Sequence, residues 1–556
     1  MKKRLIWLCS LTLFVLSTVS TRAAELILTN AKIYDQPSAN SIVVDEGKIR
    51  FVGSSSKAIK FKTQNTQVIN AQHAFVLPGF IDNHNHVFEA ASSVGGECEL
   101  HKEAELERQI PYLIKCREHA DPKGWLMGYG FSIDAVLDEN SQYTPLEVID
   151  DIFPEQPVVI MEQTSHSMWV NSAALYKAGI NKHSPEPQGG KILKGEDGEL
   201  LGILLDNAGD RVMERAWNSV FNKFSLSYQG LIMGLEEAAA HGITTIGDGR
   251  LYWQRGWFDV WKAAEKNGDL TARISIRPWI YPNEPMAKQL SFLKSIQNSN
   301  KDDLLLVDQV KMYSDGIIIN GTAKLLKPYK DTYIPENPYG INYISQHQMS
   351  NWLEKLNQLG YGAHIHAIGD GGVHESLNAI ERIRPKAGKR LYTLTHVELV
   401  NKQDVGRFKK LEVTADFQVG SDYVAYHEHQ WSETFLGKKR ANRLMNLRVI
   451  HNTGANLTLS SDWNVHEINP LVGIANSLKM GKSGLPDINS AIRAYTINAA
   501  KSLGLDEITG SIEVGKSADF VLLSDDITTL PVSAISNVQV LMTFLRGDVV
   551  FDSESQ

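Results

Sequence analysis

Residues 75 to 87 read Phe75-Val76-Leu77-Pro78-Gly79-Phe80-Ile81-Asp82-Asn83-His84-Asn85-His86-Val87. A short apolar run, punctuated by Pro78 and Gly79, ends in a polar tip. Runs of this length suit a strand buried on both faces. Alternation along a strand sends His84 and His86 to one side and Asn85 to the other. Two imidazoles on one side of a buried strand end form half of a metal site. The same pair also suits two hydrogen-bonded polar residues capping a strand, so the rest of the chain has to decide.

Seven further apolar runs follow, at 242–247, 273–280, 307–313, 362–366, 391–396, 413–418 and 455–460. With 75–82 they make eight candidate strands. Helical patterns lie between several of them, such as 348–359, 373–384 and 402–411. Strands alternating with helices predict a parallel sheet, and eight such units predict an α/β fold of the (β/α)8 TIM-like barrel type over residues 75–509. Final helices near 488–503 would cover the barrel. The interval 88–229 is too long for one connection and reads as a large insertion after the first strand, over the barrel mouth. It holds a helix at 104–119, a strand at 158–161 and a Pro/Gly-rich turn at 185–190. Upstream, 25–74 is short strands and Gly/Asp turns, and 510–556 echoes it. Neither end has enough strands for a stable sheet alone, so the two together predict one small β-sandwich built from both termini.

The chain of 556 residues, 22% charged and 43% hydrophobic, is ordinary globular material. A net charge of -8 without any Lys/Arg block excludes nucleic acid as the expected partner. Lys2, Lys3 and Arg4 precede an apolar run at 5–19 and then Ser20-Thr21-Arg22-Ala23-Ala24. That is the pattern of a secretory signal peptide over residues 1–24, cut after Ala23 or Ala24. The expected location is periplasmic or secreted, with no membrane contact after cleavage. Cys9 lies in the removed run, and Cys98 and Cys116 either pair or remain thiols. The expected partner is a small-molecule substrate, and a homo-oligomer stays open.

A barrel carries its chemistry at the carboxyl ends of its strands. Those tips hold His84 and His86, Asp248, Lys311, His364 and His366, His396 and Glu398, and Asp462. Imidazole and carboxylate together suit a borderline divalent ion, zinc first, with manganese, iron and nickel also compatible. A buried lysine among such ligands is odd as an ammonium. It makes sense as a structural group, as an amine of depressed pKa, or as a modified side chain.

These motifs resemble those of the amidohydrolase superfamily and, within it, the amidohydrolase-3 (YtcJ-like, N-substituted formamide deformylase-like) branch. The resemblance rests on Pro78 through His86, His166 through Leu175, Gly242 through Ile246, Lys311 through Gly316, His366 through Asp370, Ser461-Asp462-Trp463 and Gly515 through Phe520. It implies one or two divalent ions. His84, His86 and Asp462 would hold one, His366 and His396 a second, and Lys311 would be a carboxylated lysine bridging both. It implies hydrolysis of a non-peptide carbon–nitrogen bond in an amide, N-acyl, formamide or cyclic amide substrate by metal-bound hydroxide, with Asp462 as general acid/base. Deamination or ester hydrolysis by the same site, or an exported binding protein without catalysis, are the alternatives. Retention of all six ligand-type residues argues against the last. Thr395-His396-Val397-Glu398 stands where the branch more often has Glu before the His and Ala-Gln after it, and Phe417-Gln418-Val419 stands where Met-Gln-Pro is common.

His166 and His364 are candidate substrate contacts. A structural hydrogen bond serves His166 nearly as well, and His364 also suits a partner to a ligand or a packed polar residue. Asp370 reads as a turn carboxylate, and Trp125, Trp169 and Trp463 as core. His427 and His429 read as part of a solvated loop.

Overall fold

The computed structural model describes residues 24–91, 98–121, 123–137, 141–421, 424 and 429–555. The signal-peptide reading, with Cys9, lies outside the described residues, as does His427. The 75–82 run is two strands rather than one. Phe75–Pro78 pairs with Phe520–Leu523 and Lys32–Ile33, whereas Phe80–Asn85 pairs in parallel with Ile243–Asp248. Both halves are buried, so hydrophobicity runs on unbroken across the change of sheet. Gly79 makes the change possible, because a Cβ there would lie 2.1 Å from Thr244 Oγ1.

Phe80–Asn85, Ile243–Asp248, Arg273–Ser275 and Leu305–Leu306 form a four-stranded parallel sheet. Gln309–Tyr313, Gly362–Ala367, Tyr392–His396, Val413–Gln418 and Leu457–Ser460 form a five-stranded parallel one. Isolated parallel bridges join the two sheets, Asn85 with Trp463 at one seam and Trp279 with Lys311 at the other. The arrangement is TIM-barrel-like. The run at 273–280 is regular strand only over Arg273–Ser275, since Pro278 has no N–H to donate and beyond Ser275 the chain keeps isolated bridges alone.

Helices cover the strands. Gln346–Leu359 starts on a reciprocal Ser345/Gln348 cap and stops at the left-handed Gly360, and Asp370–Ala387 packs beside it. The 488–503 segment is two helices, Ile488–Ala494 and Ile497–Ser502.

The two ends of the chain meet in two further sheets. Leu26–Thr29, Ser41–Asp45, Lys48–Gly53 and Gln67–Asn70 make one. Lys32–Ile33, Phe75–Pro78, Phe520–Leu523, Val540–Leu545 and Asp548–Asp552 make the other. Leu28, Ile42, Val44, Val76, Phe520 and Phe544 lie in one apolar core between them.

The 88–229 interval contains a six-stranded mixed sheet of its own, in the order Gly190–Lys194, Leu200–Asp206, Ser167–Val170, Val158–Glu162, Leu126–Phe131, Cys98–Glu99. Its helix begins at Ile110 rather than 104, after a 3-10 turn over Leu106–Gln109, with Pro111 in the first turn where its missing N–H costs nothing. A Cys98–Cys116 disulfide ties that helix to the edge of the sheet. Among the described residues no helix is long and apolar enough to cross a membrane.

Candidate metal centre and its cavity

Asp82 fixes the tip of the first barrel strand to the tip of the last. Its carboxylate accepts from Ser461 N at 2.9 Å, from Ser461 Oγ at 2.5 Å and from Asn85 Nδ2 at 2.8 Å. Two backbone bonds complete the seam, Asp462 N to His84 O at 2.8 Å and His86 N to Trp463 O at 2.6 Å. Burial lifts the Asp82 carboxyl to about 6 against the hydrogen bonds from Asn85 and Ser461. Gly249 lets His86 pack closely, since a Cβ there would lie 2.9 Å from His86 Cε1.

The seam brings three donors together. His84 Nε2 and His86 Nε2 are 3.2 Å apart, and Asp462 Oδ1 is 3.2 Å from the first and 3.1 Å from the second. Around a tetrahedral ion with ligand distances of about 2.0–2.1 Å, donor atoms sit about 3.3 Å apart. The three atoms therefore already occupy one face of such a site, and two imidazoles with a carboxylate are the right chemistry for it. Burial and the Lys311 amine hold His84 well below the usual imidazole range, which leaves it in the neutral, ligating form. Burial pushes the Asp462 carboxyl up, but the His84 and His86 rings beside it outweigh this and hold it well below the usual carboxylate range.

The other nitrogen of His84 faces away from Asp462. His84 Nδ1 is 2.7 Å from His364 Nε2 and 3.3 Å from Thr395 Oγ1, which itself donates to Asp416 Oδ2 at 2.9 Å. Asp416 is fully buried and also accepts from Thr458, Ser460 and Gln418. Partners of this kind fix the tautomer of a ligating histidine. His364 is thus placed behind His84. It is fully buried and absent from the cavity wall, so its reading as a substrate contact is corrected. It faces the same side as His366, but it sits one step deeper along the strand.

Lys311 is fully buried, with Nζ 3.4 Å from His84 Nδ1. Burial holds its amine well below the usual lysine range. The rings of His366 and His396 lie 4.4 Å apart, and His396 Nδ1 is 3.8 Å from Asp462 Oδ2. His366 Nε2 contacts the Gly316 carbonyl at 3.2 Å. Among the described residues, neither histidine belongs to a set of three converging donors. Three residues here hold left-handed backbone without being glycine: His396 (φ 74°), Val397 (φ 49°) and Asp462 (φ 58°). A β-branched residue such as Val397 adopts that region only where surrounding structure forces it, and such strain gathers at functional sites.

A cavity of about 830 Å³ opens onto Asp462, His366 and His396. His166 lines it and is held through Nδ1 by Asp206 at 2.7 Å. Glu398, Gln163, Tyr129 and Trp431 also line it, as do Ile317, Ile318, Met445 and Val465. Burial, with Asp462 nearby, lifts the Glu398 carboxyl to about 7. Asp248 is elsewhere, accepting from Trp261 Nε1 at 3.0 Å. His429 is buried, against its reading as part of a solvated loop. Trp169 is core and donates to the Pro145 carbonyl, while Asp370 accepts from Leu326 N at 2.9 Å.

The sequence does not single out the carboxylates that brace the site. Asp82 and Asp416 are two of them, Asp206 is a third, and Asp315 is a fourth, accepting from Ile368 N, Gly369 N and Lys324 N. Each follows an apolar run, a signal shared with ordinary turn carboxylates.

Residues 67–551 match the model of the amidohydrolase family. The chain is 25% identical to the putative amidohydrolase YtcJ of Bacillus subtilis (strain 168), over 92% of this chain and 96% of that protein. It is 23% identical to the N-substituted formamide deformylase of Arthrobacter pascens, over 95% of this chain and 98% of that one. An uncharacterized metal-dependent hydrolase from Pyrococcus horikoshii OT3 superposes with a TM-score of 0.69 at 19% identity, covering 91% of this chain and 99% of its own, a likeness of fold. The chain belongs to the amidohydrolase family and is a hydrolase of carbon–nitrogen bonds.

Proposed function

We propose that the chain hydrolyses a non-peptide carbon–nitrogen bond in an amide, N-acyl, formamide or cyclic amide substrate. The observation that carries this reading is the convergence of His84 Nε2, His86 Nε2 and Asp462 Oδ1 within 3.2 Å beside a cavity of about 830 Å³. That volume falls in the range of small-molecule pockets. His84, His86 and Asp462 hold a divalent ion, and zinc matches their donor set. His366 and His396, with Lys311 as a carbamate, hold a second. A buried amine held below the usual lysine range loses its proton more readily, and the free amine is the form that adds to carbon dioxide with loss of a proton, which supports the modification. When bound, a divalent ion polarises the substrate carbonyl and acidifies water.

Asp462, ionised in the resting site, takes the proton of the attacking water as the carbon–oxygen bond forms. It returns that proton to the nitrogen as the carbon–nitrogen bond breaks. His166, fixed through Nδ1 by Asp206, turns its other ring nitrogen to the substrate.

The test is amine release from a panel of N-formyl, N-acyl and cyclic amide compounds. Release is expected from metal-loaded protein, is lost on chelation and returns with zinc. Faster cleavage of matched esters than of amides would favour the esterase reading. Absence of both metal and hydrolysis would leave a binding protein.

We further infer export through residues 1–24. The Cys98–Cys116 disulfide supports an oxidising compartment. The mature protein is expected to begin at Ala24 or Glu25 on amino-terminal sequencing, and retention of Met1 in secreted or periplasmic material would contradict this.

A further inference from the structure

Glu398 is a carboxylate in the cavity to which the mechanism above gives no task. It lies two residues beyond His396, and the left-handed turn at His396 and Val397 puts both His396 and Glu398 on the cavity wall while Val397 is buried behind them. Its main chain is fixed by a bond from Met445 N to its carbonyl at 2.8 Å. Among the described residues its carboxylate has no hydrogen bond and no ion pair. It joins no group of three converging metal donors among the described residues. Among the described lining residues, the exposed carboxylates Glu99 and Glu103 outnumber the one lysine, Lys102. Ile318, Trp431 and Met445 supply apolar surface in the same cavity.

A carboxylate on a cavity wall without a protein partner is a ready acceptor for a donor group. In a ligand cavity the missing partner comes with the ligand. We propose that Glu398 is a specificity residue that receives a cationic nitrogen. The substrate class is then an N-acyl compound carrying an ammonium group, joined to the scissile amide by a short hydrocarbon spacer that lies on the apolar wall. This rests on the hydrolase reading above. A neutral N–H donor would also satisfy one oxygen of Glu398, but a charge-assisted hydrogen bond from an ammonium is the stronger contact.

The experiment compares N-acetyl-1,4-diaminobutane with N-acetylbutylamine, which share acyl group and chain length. Turnover and calorimetric binding are measured on metal-loaded wild type and on Glu398→Gln, with metal content determined for each. The wild-type kcat/KM is expected to favour the ammonium compound at least tenfold, and Glu398→Gln is expected to bring the ratio to within about twofold. A purely structural role would lower both compounds alike and leave the ratio standing. A wild-type ratio near one overturns the proposal without recourse to any variant. So does an unchanged ratio in Glu398→Gln, loss of metal from that variant, or failure of the wild type to bind or cleave either compound. Cleavage of both without preference overturns this proposal and keeps the hydrolase reading. Ammonium-selective binding that Glu398→Gln abolishes, with neither compound cleaved, upholds this proposal and counts against the N-acyl hydrolase reading.

Discussion

The tips of the first and last barrel strands, and the strands Gln309–Tyr313, Gly362–Ala367 and Tyr392–His396, carry similar residues in different states of assembly. At the first pair, His84, His86 and Asp462 present donor atoms within 3.2 Å of one another. Asp82, Ser461 and two backbone bonds hold them there. At the second group, the shortest approach to Asp462 is 3.8 Å, from His396, and His366 is turned onto a backbone carbonyl. Lys311 stands between the two groups as a buried amine. The difference teaches that one half of the centre is assembled by the fold alone. In the proposed reading, the other half would close if Lys311 carried the two oxygens of a carbamate, anionic donors that its amine lacks.

The largest break in this comparison comes from Asp462→Asn, which keeps the shape and removes the proton acceptor. A loss of about 10³ in kcat is expected, within the range for general acid–base groups, read by amine release under saturating substrate. A variant retaining a tenth of the wild-type rate would move the acid–base role elsewhere. Lys311→Ala comes next. A loss of about 10² in kcat/KM is expected, with one equivalent of metal gone and partial recovery when short carboxylic acids are added. Full metal content in that variant would dissolve the distinction between the halves. Asp82→Asn loosens the assembled half without touching a ligand. Metal affinity is expected to weaken by about 10–100-fold, as for other groups that orient ligands, measured by competition with a chelator. An unchanged affinity would show that the Ser461 seam does not set the donor geometry.

The smallest effect lies away from both halves, in the 88–229 sheet. Glu162 is fully buried, and burial lifts its carboxyl from 4.5 to about 8. Across that interval the folded state keeps a proton that the unfolded state has released. Stability therefore falls as pH rises from 4.5 to about 8 and levels off above. Glu162→Gln removes this dependence. The variant is expected to be more stable than wild type at pH 8 by on the order of 4 kcal/mol, with the difference gone near pH 4.5, as read from thermal unfolding. Equal melting curves at pH 8 would put the carboxyl in its ordinary range.

The comparison also marks what the amino-acid sequence makes legible. His84, His86, His366, His396 and Asp462 stand at or just beyond the end of an apolar run, and Lys311 stands inside one; a buried strand with polar residues near its tip leaves a local signature. The split at Gly79 leaves none, because Phe75–Pro78 and Phe80–Asn85 are equally apolar and only their partners differ. The sheet inside 88–229 was legible in one strand alone. Leu126–Phe131 carries two glycines, and Ser167–Val170 is short, so neither shows the β-branched alternation that identifies a strand. Asp82 and Asp416 act on Ser461 and Thr458, hundreds of residues or tens of residues away, and such pairings exist only once the ring of strands is closed. Glu398 could be read as a departure in sequence, but its lack of a protein partner is a property of the folded cavity.

The most direct test of the central claim is an anomalous-scattering map from crystals of the metal-loaded protein. The account predicts an ion bound by His84 Nε2, His86 Nε2 and Asp462 together. An ion held by other residues, or none at these three while carbon–nitrogen hydrolysis persists, would contradict it.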